Sequence, residues 1–165
     1  MATNTYVALD TQTLTSATSS ITFSSISAAY TELVLVSNVK VSSTGEAVQI
    51  RFNGDTGNNY SFTQFQGNGT NALSSRSSNL SIIYISNDGS ATNYGTAITH
   101  IMNYSNTTTY KSTLGRFSEA SATSWSSSGL WRSTAAITSL TLNVSGTSKT
   151  LSTGSTFSLY GILGA

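Results

Sequence analysis

The chain has no cysteine and no proline, a single histidine, and charged side chains at only 8% of its positions. Each scarcity excludes something. Without cysteine there is neither a disulfide framework nor a thiolate metal site. Seven Lys and Arg stand against six Asp and Glu, for a formal net charge of +1. That leaves no cluster of cations to make the phosphate contacts on which nucleic-acid binding rests. No run approaches the ~20 apolar residues of a membrane-spanning helix, so no membrane insertion is expected. The start, MATNTYVALD at residues 1–10, carries no basic stretch followed by an apolar one. No secretory signal is read there, and synthesis in a cytoplasm is expected.

What fills the chain instead is hydroxyl. Ser (32) and Thr (27) make up more than a third of the 165 residues, beside 13 Asn and 13 Gly. Such a composition invites a reading of disorder, but hydrophobic residues reach 38% and aromatics 10%, with a net charge near zero. Disordered chains combine the opposite traits. Thr, Tyr, Phe and Ile suit a pleated, half-buried surface. A chain of this length buries about two-thirds of its unfolded surface, enough for a core without disulfides.

Short apolar-alternating runs separated by turn residues predict an all-β chain. Residues 14–26 read as one or two strands, and 32–41 as a central one. Residues 46–53 alternate, with Val48, Ile50 and Phe52 inward and Gln49 and Arg51 outward. Asn53 to Asn59 (NGDTGNN) is the densest turn signal, and residues 60–66 resume as a strand. Further strands are read at 80–85, 97–104, 110–117, 136–144 and 155–163, with Asn87-Asp88-Gly89 as a turn and Ser121 to Gly129 as a loop. Ile98, His100, Met102 and Tyr104 are expected to share one face. The expectation is a single domain over 1–165, with residues 1–15 as an extended N-terminal segment. Its fold is an antiparallel jelly roll or related two-sheet β-sandwich of about 8–10 strands. The pattern does not rank a jelly roll above an immunoglobulin-like strand order.

Candidate chemistry is sparse. A catalytic His100 needs a nucleophile and an orienting acid, yet no acidic residue lies within ten positions of it. Beside Ile98 and Met102 it reads as a core or interface histidine. Nothing in the sequence pairs two carboxylates across a bond as glycoside hydrolysis requires. Asp55 and Asp88 sit in turns, where Asp bonds nearby backbone. The oxygens of Asn53 to Asn59 could accept Ca²⁺, but the spacing of an EF-hand is missing and a type I′ turn accounts for Asn-Gly without an ion. Gly67-Asn68-Gly69 lacks the lysine and the strand-to-helix context of a phosphate loop. The Asn-x-Ser/Thr sequons at Asn59, Asn68, Asn79, Asn103, Asn106 and Asn143 are about what this composition gives by chance. No catalytic, cofactor-binding or metal residue is assigned. Trp131 reads as core, at the opening of the strand that bears Ile137 to Val144. Trp125, in the Ser-rich stretch, is a candidate interface residue. So are Tyr160, Ile162 and Leu163, because an apolar chain end is usually docked against something.

Four stretches carry a resemblance: ITFSSI at 21–26, RFNGDTGNNYS at 51–61, LWRSTAAITSLTL at 130–142 and STFSLYGI at 155–162. Together they resemble small virion proteins of tailed bacteriophages, including aquatic and cyanobacterial phages, in which an FNGDTGxNYS hairpin precedes a C-terminal STFSLYGI strand. The resemblance implies a non-enzymatic β-sandwich protein located in the virion. The first expectation is a capsid decoration or cement protein, binding the major capsid protein on the outer head surface. The alternative is a tail-fibre or receptor-binding head that recognises a host surface glycan; a glycan depolymerase is a third, weaker reading. The chain shows no heptad or shaft repeat before its first strands, which favours decoration. Homotrimeric assembly is implied by the family analogy alone.

Overall fold

The computed structural model of the protein describes residues 5–86, 89–119 and 123–164. Among these residues it is all β, with twelve strands. They are β1 (Tyr6–Thr13), β2 (Ser20–Phe23), β3 (Glu32–Val39), β4 (Val48–Phe52), β5 (Tyr60–Gly67), β6 (Ala72–Leu80), β7 (Ile83–Tyr84), β8 (Gly95–Met102), β9 (Lys111–Ser118), β10 (Ser124–Trp131), β11 (Leu140–Val144) and β12 (Thr156–Ile162). Eight form one antiparallel sheet in the order β1-β12-β3-β8-β9-β10-β5-β6, and four form another in the order β2-β11-β4-β7. The expected two-sheet β-sandwich is what forms.

The core lies between the sheets and follows from alternation. Val48, Ile50 and Phe52 of β4 are fully buried, and Leu140, Leu142 and Val144 of β11 face the same way. Leu33 and Leu35 of β3, Ile101 of β8 and Phe157 and Leu159 of β12 meet them from the larger sheet. At one end Tyr60, Trp131 and Phe52 form an aromatic block, with Tyr60 and Trp131 stacked at 6.1 Å.

Several expectations are corrected. Three strands were not expected, and each has a reason. β1, within the segment read as extended, is an edge strand paired to β12, with a register shift between Ala8 and Asp10 that breaks its alternation. β6 is solvent-exposed along nearly its whole length, so it has no apolar face to betray it. β10 occupies most of the stretch read as a loop; only Ser121 and Ala122 of that stretch lie outside the described residues. Its buried positions are Trp125, Ser127, Gly129 and Trp131, an alternation of small and aromatic residues that a hydrophobic pattern does not register. Trp131 is core, but it closes β10 rather than opening the strand before Val144. The strand read at 80–85 shortens to β7.

The 97–104 strand stops at Met102. Asn103 follows at φ 56°, and the chain turns so that Tyr104 enters the core. There its hydroxyl donates to Ser27 O (2.6 Å) and accepts from Tyr30 N (3.1 Å). The FNGDTG segment is likewise not a hairpin between paired strands, because β4 and β5 belong to different sheets. Its first turn does have type I′ character: Asn53 and Gly54 take φ 51° and 66°, and Asp55 N donates to Phe52 O at 2.9 Å. Of the turn at Asn87-Asp88-Gly89, the first two residues lie outside the described residues, and Gly89 bridges to Glu46.

Candidate functional site: the open face of the large sheet

A sheet of eight strands packed on one of four leaves a face uncovered. Side chains that alternate with the core residues point to that face. The register places Tyr6 opposite Ile162, Tyr160 opposite Val34, Val34 opposite His100, and Val36 opposite Ile98. One end of the half of the face built by β1, β12, β3 and β8 is therefore apolar, while Thr13, Thr156, Asn38 and Thr96 form a polar row at its other end. Tyr6, 56% exposed, sets its ring edge-on to Tyr160 at 6.3 Å. Val36, Ile98, Met102 and Ile162 are half-buried around them.

One ion pair interrupts this surface, and among the described residues it is the only one: His100 Nδ1 meets Glu32 Oε1. Glu32 lies 68 positions from His100 in sequence, so local spacing could not have paired them. The β3–β8 ladder does it by setting Glu32 against Met102 and Val34 against His100. The cross-strand neighbours of His100 are Val34 and Leu114, neither of which is a nucleophile. The arrangement is a hydrogen-bonded histidine–carboxylate pair, half-buried in the sheet face.

The candidate interface residues separate. Tyr160 and Ile162 stand on this face, and Leu163, 38% exposed, follows directly with its N–H donating to Thr5 O at 3.0 Å. Trp125 does not join them. It is 2% exposed and packs with Ala97, Phe117 and Tyr84 on the core side of the sheet, because its place in β10 has the phase of Ser127 and Trp131. Its assignment to an interface is corrected.

The other half of the open face, on β9, β10, β5 and β6, has a different character. A cavity of about 620 Å³ lies there, lined by Phe65, Ala72, Ser74, Arg116, Ser124 and Ser126 among others. Phe65 is 63% exposed and Leu114 49%. Neither Phe65 nor Arg116 stands out in the sequence, since one aromatic and one cation on separate strands share no spacing.

The NGDTGNN segment, the best local motif, is turned to structural use. Asp55 Oδ1 accepts from Gly57 N at 2.8 Å; its Oδ2 accepts from Asn59 Nδ2 at 3.0 Å and from the buried Trp131 Nε1 at 2.7 Å. Partial burial alone would raise the carboxyl pKa; the bonds from Trp131, Asn59 and Gly57 and the nearby Arg51 charge outweigh it, and the pKa falls below 3.8. Asn53 Oδ1 accepts from Thr138 N and Ser139 N, while its Nδ2 donates to Ala136 O at 2.8 Å. The segment thus ties the β4–β5 connection to β10 and to the loop entering β11. Both carboxylate oxygens that a cation would need are taken by N–H donors. No group of three or more acidic or histidine side chains suited to a metal occurs among the described residues.

No protein-family model matches the chain, and no curated protein matches it. Among solved structures it is similar to an alginate lyase in complex with an alginate tetrasaccharide. That likeness has a TM-score of 0.25 at 7% identity, over 75% of this chain and 70% of the other. It is too slight to carry an argument about activity.

Proposed function

We propose that the protein is a non-enzymatic component of a tailed-phage virion, a decoration protein on the outer surface of the head. The supporting observation is the apolar half-face on which Tyr6, Tyr160, Val36, Ile98 and Ile162 lie together, with one ion pair among them. Contact with the major capsid protein and with neighbouring copies in a homotrimer removes this surface from water at roughly 25 cal/mol per Å². Repetition over many subunits multiplies modest contacts through effective concentration. With so few charges on the face, attachment is expected to survive molar salt.

The test is to image particles and count copies. Hundreds on the head support the reading; copies confined to the tail tip, or none, overturn it. Ile162→Asp places an unpaired charge in the half-face. It is expected to lower head occupancy at least about tenfold while shifting Tm by less than about 4 °C, the cost of roughly 1 kcal/mol at this size. Unchanged occupancy would show that another surface makes the contact.

A further inference from the structure

The second half of the open face carries two features that folding does not account for. One is Phe65, the most exposed large apolar side chain of the described residues. It sits mid-strand with Ser126 on one side and Ser74 on the other. The second is Arg116, opposite Ser126 in the same cross-strand row. Its guanidinium makes no hydrogen bond or ion pair among the described residues, and no neighbouring carboxylate is free to pair with it. Glu32, the one acid that the register places on this face among the described residues, is taken by His100. Arg76, opposite Thr63 in the adjacent row, is likewise unpaired. An aromatic ring and one uncompensated guanidinium group thus border a groove rimmed by Ser74, Ser124 and Ser126, with Arg76 one row beyond its lining.

We propose that this groove binds an acidic oligosaccharide, with a sugar ring on Phe65 and its carboxylate on Arg116. The chemistry selects the ligand in three steps. Two unpaired cations with no acid beside them favour an anion, and a guanidinium fork matches a carboxylate through two parallel hydrogen bonds. The exposed ring offers an apolar platform of the kind on which the C–H face of a sugar packs, and serine hydroxyls satisfy sugar hydroxyls through neutral hydrogen bonds. The cavity of about 620 Å³ falls within the roughly 300–1,000 Å³ typical of small-ligand sites. Two arginines are too few for the counterion-driven binding of a nucleic acid. The inference does not depend on the head-surface proposal, which uses the adjoining half of the face, where Ile98 lies opposite Arg116.

The probe is tetragalacturonate, titrated into isotope-labelled protein and followed by amide chemical shifts, with cellotetraose as the neutral control. Saturable shifts confined to residues 63–76, 114–118 and 124–128 are expected for the acidic glycan and none for the neutral one. Arg116→Ala and Phe65→Ala should each weaken binding by about tenfold or more, and Arg116→Lys should lose part of that, because an ammonium lacks the planar fork. Both side chains are exposed, so the variants should keep their Tm, which circular dichroism checks. The proposal is overturned if the acidic glycan gives no saturable shifts at millimolar concentration, or if cellotetraose binds equally well. It is also overturned if the Arg116→Ala protein, folded, binds as the parent does. Shifts at these amides on adding empty phage heads but not the uronate would reassign the groove to a protein interface.

Discussion

Replacing Asp55 with Ala is expected to destabilise the protein by about 2–4 kcal/mol, a large fraction of a typical domain's total stability. The side chain closes its own turn through Gly57 and Asn59 and, across 76 positions, accepts the indole N–H of Trp131. Trp131 is 2% exposed, so its N–H loses its one protein acceptor at the edge of the core when the carboxylate goes. An orphaned buried donor costs about 1–3 kcal/mol by itself, and the lost turn adds to it. Urea denaturation measures the total, and a double-mutant cycle with Trp131→Phe isolates the shared bond. A coupling of about 1–3 kcal/mol is expected; additivity would show that the contact is incidental. The pH dependence has a definite sign. Because the folded pKa of Asp55 is lowered, its stabilisation is complete above the unfolded value of 3.8. It is lost as pH falls through the folded pKa. The gap between wild type and variant should therefore narrow in acid.

That cluster also shows what local sequence reveals. Asn53-Gly54 announced a type I′ turn, and Asp55 announced side-chain bonds to its own backbone; both formed. The partner across the fold did not announce itself, because Trp131 is aligned with Tyr60 only by the β10–β5 ladder. Strands with a dry face, such as β4 and β11, were legible because alternation there is forced by the core. β6 was illegible because solvent lies on both sides of it, and β10 because serine and glycine take inward positions. At Gly129 a Cβ would come within 2.4 Å of Thr113 Oγ1, so the close approach there demands the residue type that conceals the strand. The open face followed the same rule. Tyr160, Ile162 and Leu163 could be suspected from an apolar chain end, whereas Glu32 and His100, diagonal across β3 and β8, and Phe65 and Arg116, on either side of β10, share a face only through the fold.

Stability in alkali should rise and then fall, and two buried side chains set the two limbs. Lys111 is fully buried, on the core side of β9 opposite Trp131. Its Nζ donates to Thr109 O at 2.7 Å and Thr134 O at 3.2 Å, with Ser133 O at 3.5 Å. These carbonyls tie β9 to the loop after β10, but among the described residues no carboxylate pairs with the ammonium. Burial disfavours the ammonium and lowers the pKa below 10.5. In the interval between the folded pKa and 10.5 the unfolded chain binds more protons, so stability increases with pH there and levels off above it.

Tyr60 acts in the opposite sense. Its burial, only partly offset by the bond to Phe52, pushes the phenol from 10.0 up to about 12. Its stabilisation is complete below pH 10 and is lost as pH rises through about 12. A shift of that size corresponds to about 2–3 kcal/mol in all. Tyr104, raised for the same first reason, adds to the fall. Denaturation midpoints between pH 8 and pH 12 should therefore pass through a maximum close to pH 10, where one limb ends and the other begins. Lys111→Met keeps the volume, removes the charge and leaves the carbonyls without their donor. It is expected to cost about 1–3 kcal/mol at neutral pH and to abolish the rising limb while leaving the falling one. Tyr60→Phe should do the converse and flatten the fall. A wild-type profile flat from pH 8 to pH 10, or a rising limb that persists in Lys111→Met, would show that the ammonium is solvated in the folded protein.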